Sequence, residues 1–61
     1  MFVIVKVDDD EIRLELEDLW DIFNAGLVRE SCLKAGLDLV QAADVIIAIN
    51  KGNVWAEELK D

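Results

Sequence analysis

Histidine and proline are absent from the 61 residues, cysteine occurs once, and only six Lys and Arg stand against fourteen Asp and Glu. Without histidine, neither Ser31 nor Cys32 has the imidazole base that usually activates a nucleophile, and the commonest nitrogen ligand for a metal is missing. A single cysteine excludes a disulfide within the chain. Scarce cations disfavour binding to nucleic acid or to an anionic membrane, because both need clustered Lys and Arg to neutralise phosphate. There is no glycine-rich phosphate loop and no nucleotide fingerprint. The longest apolar run is bracketed by Asp44 and Lys51 and falls far below the ~18 residues of a membrane span. Met1 leads straight into Phe2-Val3-Ile4-Val5 with Asp8 close behind, so no secretory signal is expected, and the lone cysteine suits a cytoplasmic protein. No catalytic residue, metal site or cofactor is predicted, and the chain is expected not to be an enzyme.

What is present is apolar side chain and negative charge. The residues AVILMFWYC make up 54% of the chain and the net charge is −8. A chain this short is expected to be one domain, and such a domain buries only about 60% of the surface its unfolded form exposes. With disulfide and zinc routes closed, packing and self-association are the remaining sources of stability. The apolar excess therefore predicts a homodimer or higher homo-oligomer.

Hydrophobic alternation predicts a β-hairpin: Val3, Val5 and Val7 share one face, as do Ile12, Leu14 and Leu16. A turn at Asp9-Asp10, or a loop over Asp8 to Glu11, sets Val7 opposite Ile12, Val5 opposite Leu14 and Val3 opposite Leu16. The other face carries Phe2, Ile4 and Lys6 against Arg13, Glu15 and Glu17, and is half apolar. Asp18 with Asp21 reads as a capping box opening a helix whose Leu19, Trp20, Ile22, Phe23 and Leu27 lie on one side, with a bend near Gly26. Gly36 reads as a stop and Asp38 with Gln41 as a second capping box, opening a helix that runs to about Asn50 with Gly52 beyond it. A short last helix comes next, capped by Asn53, reaching Leu59 and carrying Trp55. The fold class is thus α+β, a hairpin followed by two main helices and a short one (ββαα). The rival arrangement is ββαββ, because Val45 to Ile49 has strong β propensity and Asn50 to Asn53 can turn into Val54-Trp55.

These elements present two surfaces. Eight acids fall between Asp8 and Asp21 (Asp8, Asp9, Asp10, Glu11, Glu15, Glu17, Asp18 and Asp21) with Arg13 as the sole cation, so this stretch holds −7 of the net charge. It predicts a partner-binding face for another protein with a basic surface. The corresponding function is an inhibitor or nucleic-acid mimic acting on a nucleic-acid-handling protein, on the pattern of small acidic phage anti-defence factors. The rival is a self-assembling structural protein whose acids only confer solubility. The four acids Asp8 to Glu11 lack the ligand spacing and central glycine of a calcium loop. The second surface is an oligomer interface drawn from Phe2, Ile4, Val45, Ile46, Ile49 and Trp55. It rests on the outer strand face and on a helix apolar nearly all round.

Overall fold

The computed structural model describes residues 1–57 and is an α+β arrangement in two layers, a three-stranded antiparallel sheet packed against two helices. Strands β1 (Phe2–Val7) and β2 (Asp10–Glu15) form the expected hairpin, and β3 (Val54–Ala56) pairs with the other edge of β1, giving the order β2-β1-β3. Val3, Val5, Leu14 and Leu16 project from one face into a core completed by Val28 and Cys32 of α1 (Ala25–Lys34) and by Ala42, Val45, Ala48 and Ile49 of α2 (Leu39–Asn50). Val3, Val5, Leu14, Cys32 and Val45 are wholly buried.

The face assignment of both strands agrees with the alternation, but the register differs from the expectation by two residues. Val5 lies opposite Ile12 and Val3 opposite Leu14, while Met1 and Leu16 exchange hydrogen bonds of 2.8 and 2.9 Å between backbone N and O. Alternation constrains only which face a residue takes, so a shift by two leaves every side chain on its own side. The turn decides the rest. It is Asp8-Asp9, not Asp9-Asp10, because Asp8 adopts φ 55, a left-handed conformation that Asp tolerates better than most residues.

Both capping boxes form as read. Asp18 accepts from the Trp20 backbone N at 3.0 Å, and Asp38 accepts from the Gln41 backbone N at 2.8 Å. The element that Asp18 opens, however, is a 3-10 helix of five residues, Leu19–Phe23. The chain breaks at Asn24, which ends that helix and caps α1 through Leu27, so the bend falls two residues before Gly26. Gly36 (φ 92) and Gly52 (φ 84) end α1 and α2 in the same way. The backbone N–H groups of Gly36 and Leu37 return to Leu33 and Cys32, and those of Gly52 and Asn53 to Ile49 and Ala48.

Residues 45–49 are helical, as the first arrangement requires. Ala42, Val45, Ala48 and Ile49 recur at helical spacing toward the sheet, and this burial overrides the β propensity of the run. At the C-terminal end the second arrangement supplies the correct element. Val54–Ala56 form a strand instead of the start of a helix, because the Gly52 turn delivers them to the open edge of β1, with Ile4 opposite Trp55. The remainder of that expected helix, to Leu59, extends outside the described residues.

Candidate functional site

The 3-10 helix at Leu19–Phe23 determines what the chain shows to solvent. A 3-10 helix has three residues per turn, so side chains three apart eclipse one another. Residues 18 to 23 therefore sort into three rows. Leu19 and Ile22 turn inward onto the core. Trp20 and Phe23 turn outward, 72% and 73% exposed, with ring centroids 5.8 Å apart. Asp18 and Asp21 make the third row, tied to each other by the capping box. The α-helical period places both aromatics among the core-facing residues. The structure corrects this, since the five residues between the Asp18 and Asn24 caps form a 3-10 helix and not an α-helix. The close spacing of the two cap residues is the signal in the sequence that pointed to a short helix here.

Aromatic side chains of this kind bury about 150–250 Å² each when enclosed, so the exposed share of the pair is roughly 300 Å². At about 25 cal/mol per Å², covering it would contribute on the order of 7 kcal/mol before the costs of association. A patch of roughly this size is comparable to the largest on a typical soluble monomer, where such patches are often functional.

The eight acids between Asp8 and Asp21 are exposed, with Asp21 half-buried, but they do not form one patch. The hairpin is extended, and at about 3.4 Å per residue Glu11 and Glu15, the nearest members of the two groups, stand roughly 14 Å apart. The screening length at physiological ionic strength is about 8 Å, so the two groups act separately. Asp8, Asp9, Asp10 and Glu11 surround the turn, where Asp8 shares a shallow depression with Lys6, Asp44 and Lys51. At the opposite end Glu15, Glu17 and Asp21 line one groove together with Arg13, and Asp18 and Asp21 belong to the 3-10 helix that carries the aromatic pair.

Arg13, the one cation within the acidic stretch, is engaged at the surface by two residues of the same chain. Its guanidinium lies 3.6 Å from the Phe2 ring centroid, and Nε donates to Glu57 Oε2 at 2.8 Å, the only ion pair among the described residues. At this exposure the ion pair contributes little to stability. Its effect is geometric, because it holds the Arg13 stem over the outer face of β1.

The residues expected at an oligomer interface are dispersed. Val45 and Ile49 belong to the core of a single chain, 0% and 8% exposed, so they offer no surface to a second copy. Ile46 is half-buried against the same core. Ile4, 9% exposed, is flanked across the sheet by Arg13 and Trp55, while Phe2 lies beneath Arg13. Trp55 retains 40% exposure. The apolar residues that α2 does present outward are Leu39 (63%), Val40 (73%) and Ile47 (51%). The sheet and α1 cover one side of this helix and leave the other open.

An open groove of about 860 Å³ runs beside the edge strand β2, floored by Leu16 and Leu27 and walled by Glu15, Glu17, Asp21, Glu30 and Lys34. Ser31 Oγ donates to the Glu15 carbonyl at 3.0 Å and ties α1 to this edge. Cys32 is buried beneath it, and desolvation pushes its thiol pKa up, so the thiol is neutral at physiological pH. No group of three or more His, Cys, Asp or Glu is arranged to hold a metal ion among the described residues. No helix among them is long and apolar enough to cross a membrane.

The chain matches no known protein family, no curated protein and no solved structure.

Proposed function

We propose that the chain is a non-enzymatic, acidic protein-binding module that occupies a basic surface of a partner, as an inhibitor or nucleic-acid mimic directed at a nucleic-acid-handling protein. The observation that carries this reading is the state of the acids between Asp8 and Asp21. They lie at the surface, none is in an ion pair among the described residues, and the one cation among them, Arg13, pairs with Glu57 instead. Surface carboxylates clustered at the hairpin turn and at the far end of β2 form a negative field that steers a basic partner and strengthens at low salt. The test is an affinity pull-down with Asp9→Lys/Glu17→Lys as the comparison, one substitution at each acidic end and neither in a capping box. The expected result is a partner with a basic surface whose retention falls with salt and is lost in the variant, while circular dichroism shows the variant folded. If every retained protein binds the folded variant equally well, the proposal is wrong.

The outer face of α2 supports a second reading, in which self-assembly is itself the function and the acids confer solubility. Leu39, Val40 and Ile47 make an apolar strip on a helix whose other side is already packed, and a second copy of the chain would cover it. Light scattering separates the cases. A mass near 6.9 kDa at micromolar concentration is that of a single chain and removes the dimer. Twice that mass, reduced to one chain by Val40→Asp, supports it.

A further inference from the structure

We infer that the Trp20–Phe23 pair is the docking anchor of the chain, and that its occupant is an apolar cleft rimmed by Lys or Arg on a partner protein. The inference rests on the proposed basic partner but names a different part of the surface. The observations behind it are the outward aromatic row, 72% and 73% exposed, and the acidic row of Asp18 and Asp21 beside it, extended by Glu17. Aromatic residues enclosed by a polar rim are where binding energy concentrates at protein interfaces. The pair is held from both ends. Asp18 caps its first residues, Asn24 stops the helix and caps the next one, and Leu19 and Ile22 pin its inner side to the core. An anchor fixed in advance loses little conformational freedom on docking.

Charge decides the chemistry of the occupant. A second copy meeting this surface symmetrically would bring the two Asp18–Asp21 rows together, and like charges across an interface are unfavourable. A cleft bordered by cations instead pairs each of these acids while it encloses the rings. The other exposed apolar features lack this combination, because Trp55 packs beside Ile4 within the sheet and the α2 strip has no aromatic residue.

The experiment uses the full chain carrying Trp55→Phe, so that Trp20 is the only tryptophan, titrated with a short amphipathic helical peptide of leucine and lysine. A lysine-only peptide of equal charge is the control. The expected result is a blue shift of Trp20 emission with the leucine–lysine peptide and a dissociation constant weakened by at least about tenfold in Phe23→Ala. The lysine-only peptide should bind more weakly, with no shift and no dependence on Phe23. Equal affinity of Phe23→Ala and its parent for the leucine–lysine peptide overturns the anchor. So does an equal blue shift in Trp20→Phe, where Trp55 reports, since that would be general adsorption to exposed rings. If Phe23→Ala converts a dimer to a monomer in light scattering, the occupant is a second copy and the assignment to a basic cleft is refuted. Failure of the lysine-only peptide to bind at low salt counts against the acidic-surface proposal, whereas the Phe23 comparison counts for or against the anchor alone.

Discussion

Val40 and Val45 are the same residue type on the same helix, five positions apart, and the structure assigns them opposite fates. Val45 is wholly buried between α2 and the sheet, while Val40 is 73% exposed. Truncating Val45 to Ala removes two carbon groups worth about 0.8 kcal/mol each in transfer from water, and the cavity left behind raises the loss to about 2–3 kcal/mol. Alanine returns about 0.5 kcal/mol through its better helix propensity, leaving a net cost of roughly 2 kcal/mol. At Val40 only about a quarter of the transfer term applies, roughly 0.4 kcal/mol, and the propensity gain cancels it. Unfolding entropy of about 2.1 cal/mol/K per residue means that 1 kcal/mol moves Tm by roughly 8 °C in a chain of this length. Val45→Ala should therefore lower Tm by about 15 °C and Val40→Ala by less than about 4 °C, measured by circular dichroism during thermal unfolding. Equal losses at both positions, persisting on dilution, would refute the assignment of α2's buried side. A Val40 loss that disappears on dilution would instead identify Val40 as covered by a second copy.

Three further outcomes are expected. Asp18→Ala removes the cap on the 3-10 helix and should cost about 1 kcal/mol in denaturant unfolding, while shifting Trp20 fluorescence as the aromatic row loosens. Gly36→Ala places a side chain at φ 92, where there is open space but an unfavourable backbone, and should cost about 1–2 kcal/mol in the same assay, with Gly36→Asn costing less. Burial pushes the Cys32 thiol pKa above its unfolded value, so the folded chain holds that proton more tightly than the unfolded one. Stability from this source is complete below the unfolded value and declines as pH rises past 9.0. The decline should be absent in Cys32→Ala when urea midpoints are compared across alkaline pH.

Signals that act over a few residues were legible in the sequence alone. Alternation assigned Val3, Val5, Leu14 and Leu16 to one face of a hairpin, and the pairs Asp18–Asp21 and Asp38–Gln41 marked helix starts. Gly36 and Gly52 marked helix ends, because only glycine enters that backbone region without cost. Composition established the acidic surface. Tertiary packing settled whatever depended on distance or on competition for a partner. The hairpin register moved by two residues because alternation cannot distinguish such shifts, and the left-handed Asp8 selected the turn. Val54–Ala56 became a strand because β1 had an unpaired edge beside them, which no local propensity records. Val45 and Ile49 left the expected interface because the sheet covers one side of α2 and not the other. The acids from Asp8 to Asp21 separated into two groups because an extended strand lies between them. Trp20 and Phe23 turned outward because the segment between the two caps is a 3-10 helix, and its period of three separated them from Leu19 and Ile22, with which the α-helical period had grouped them on one side.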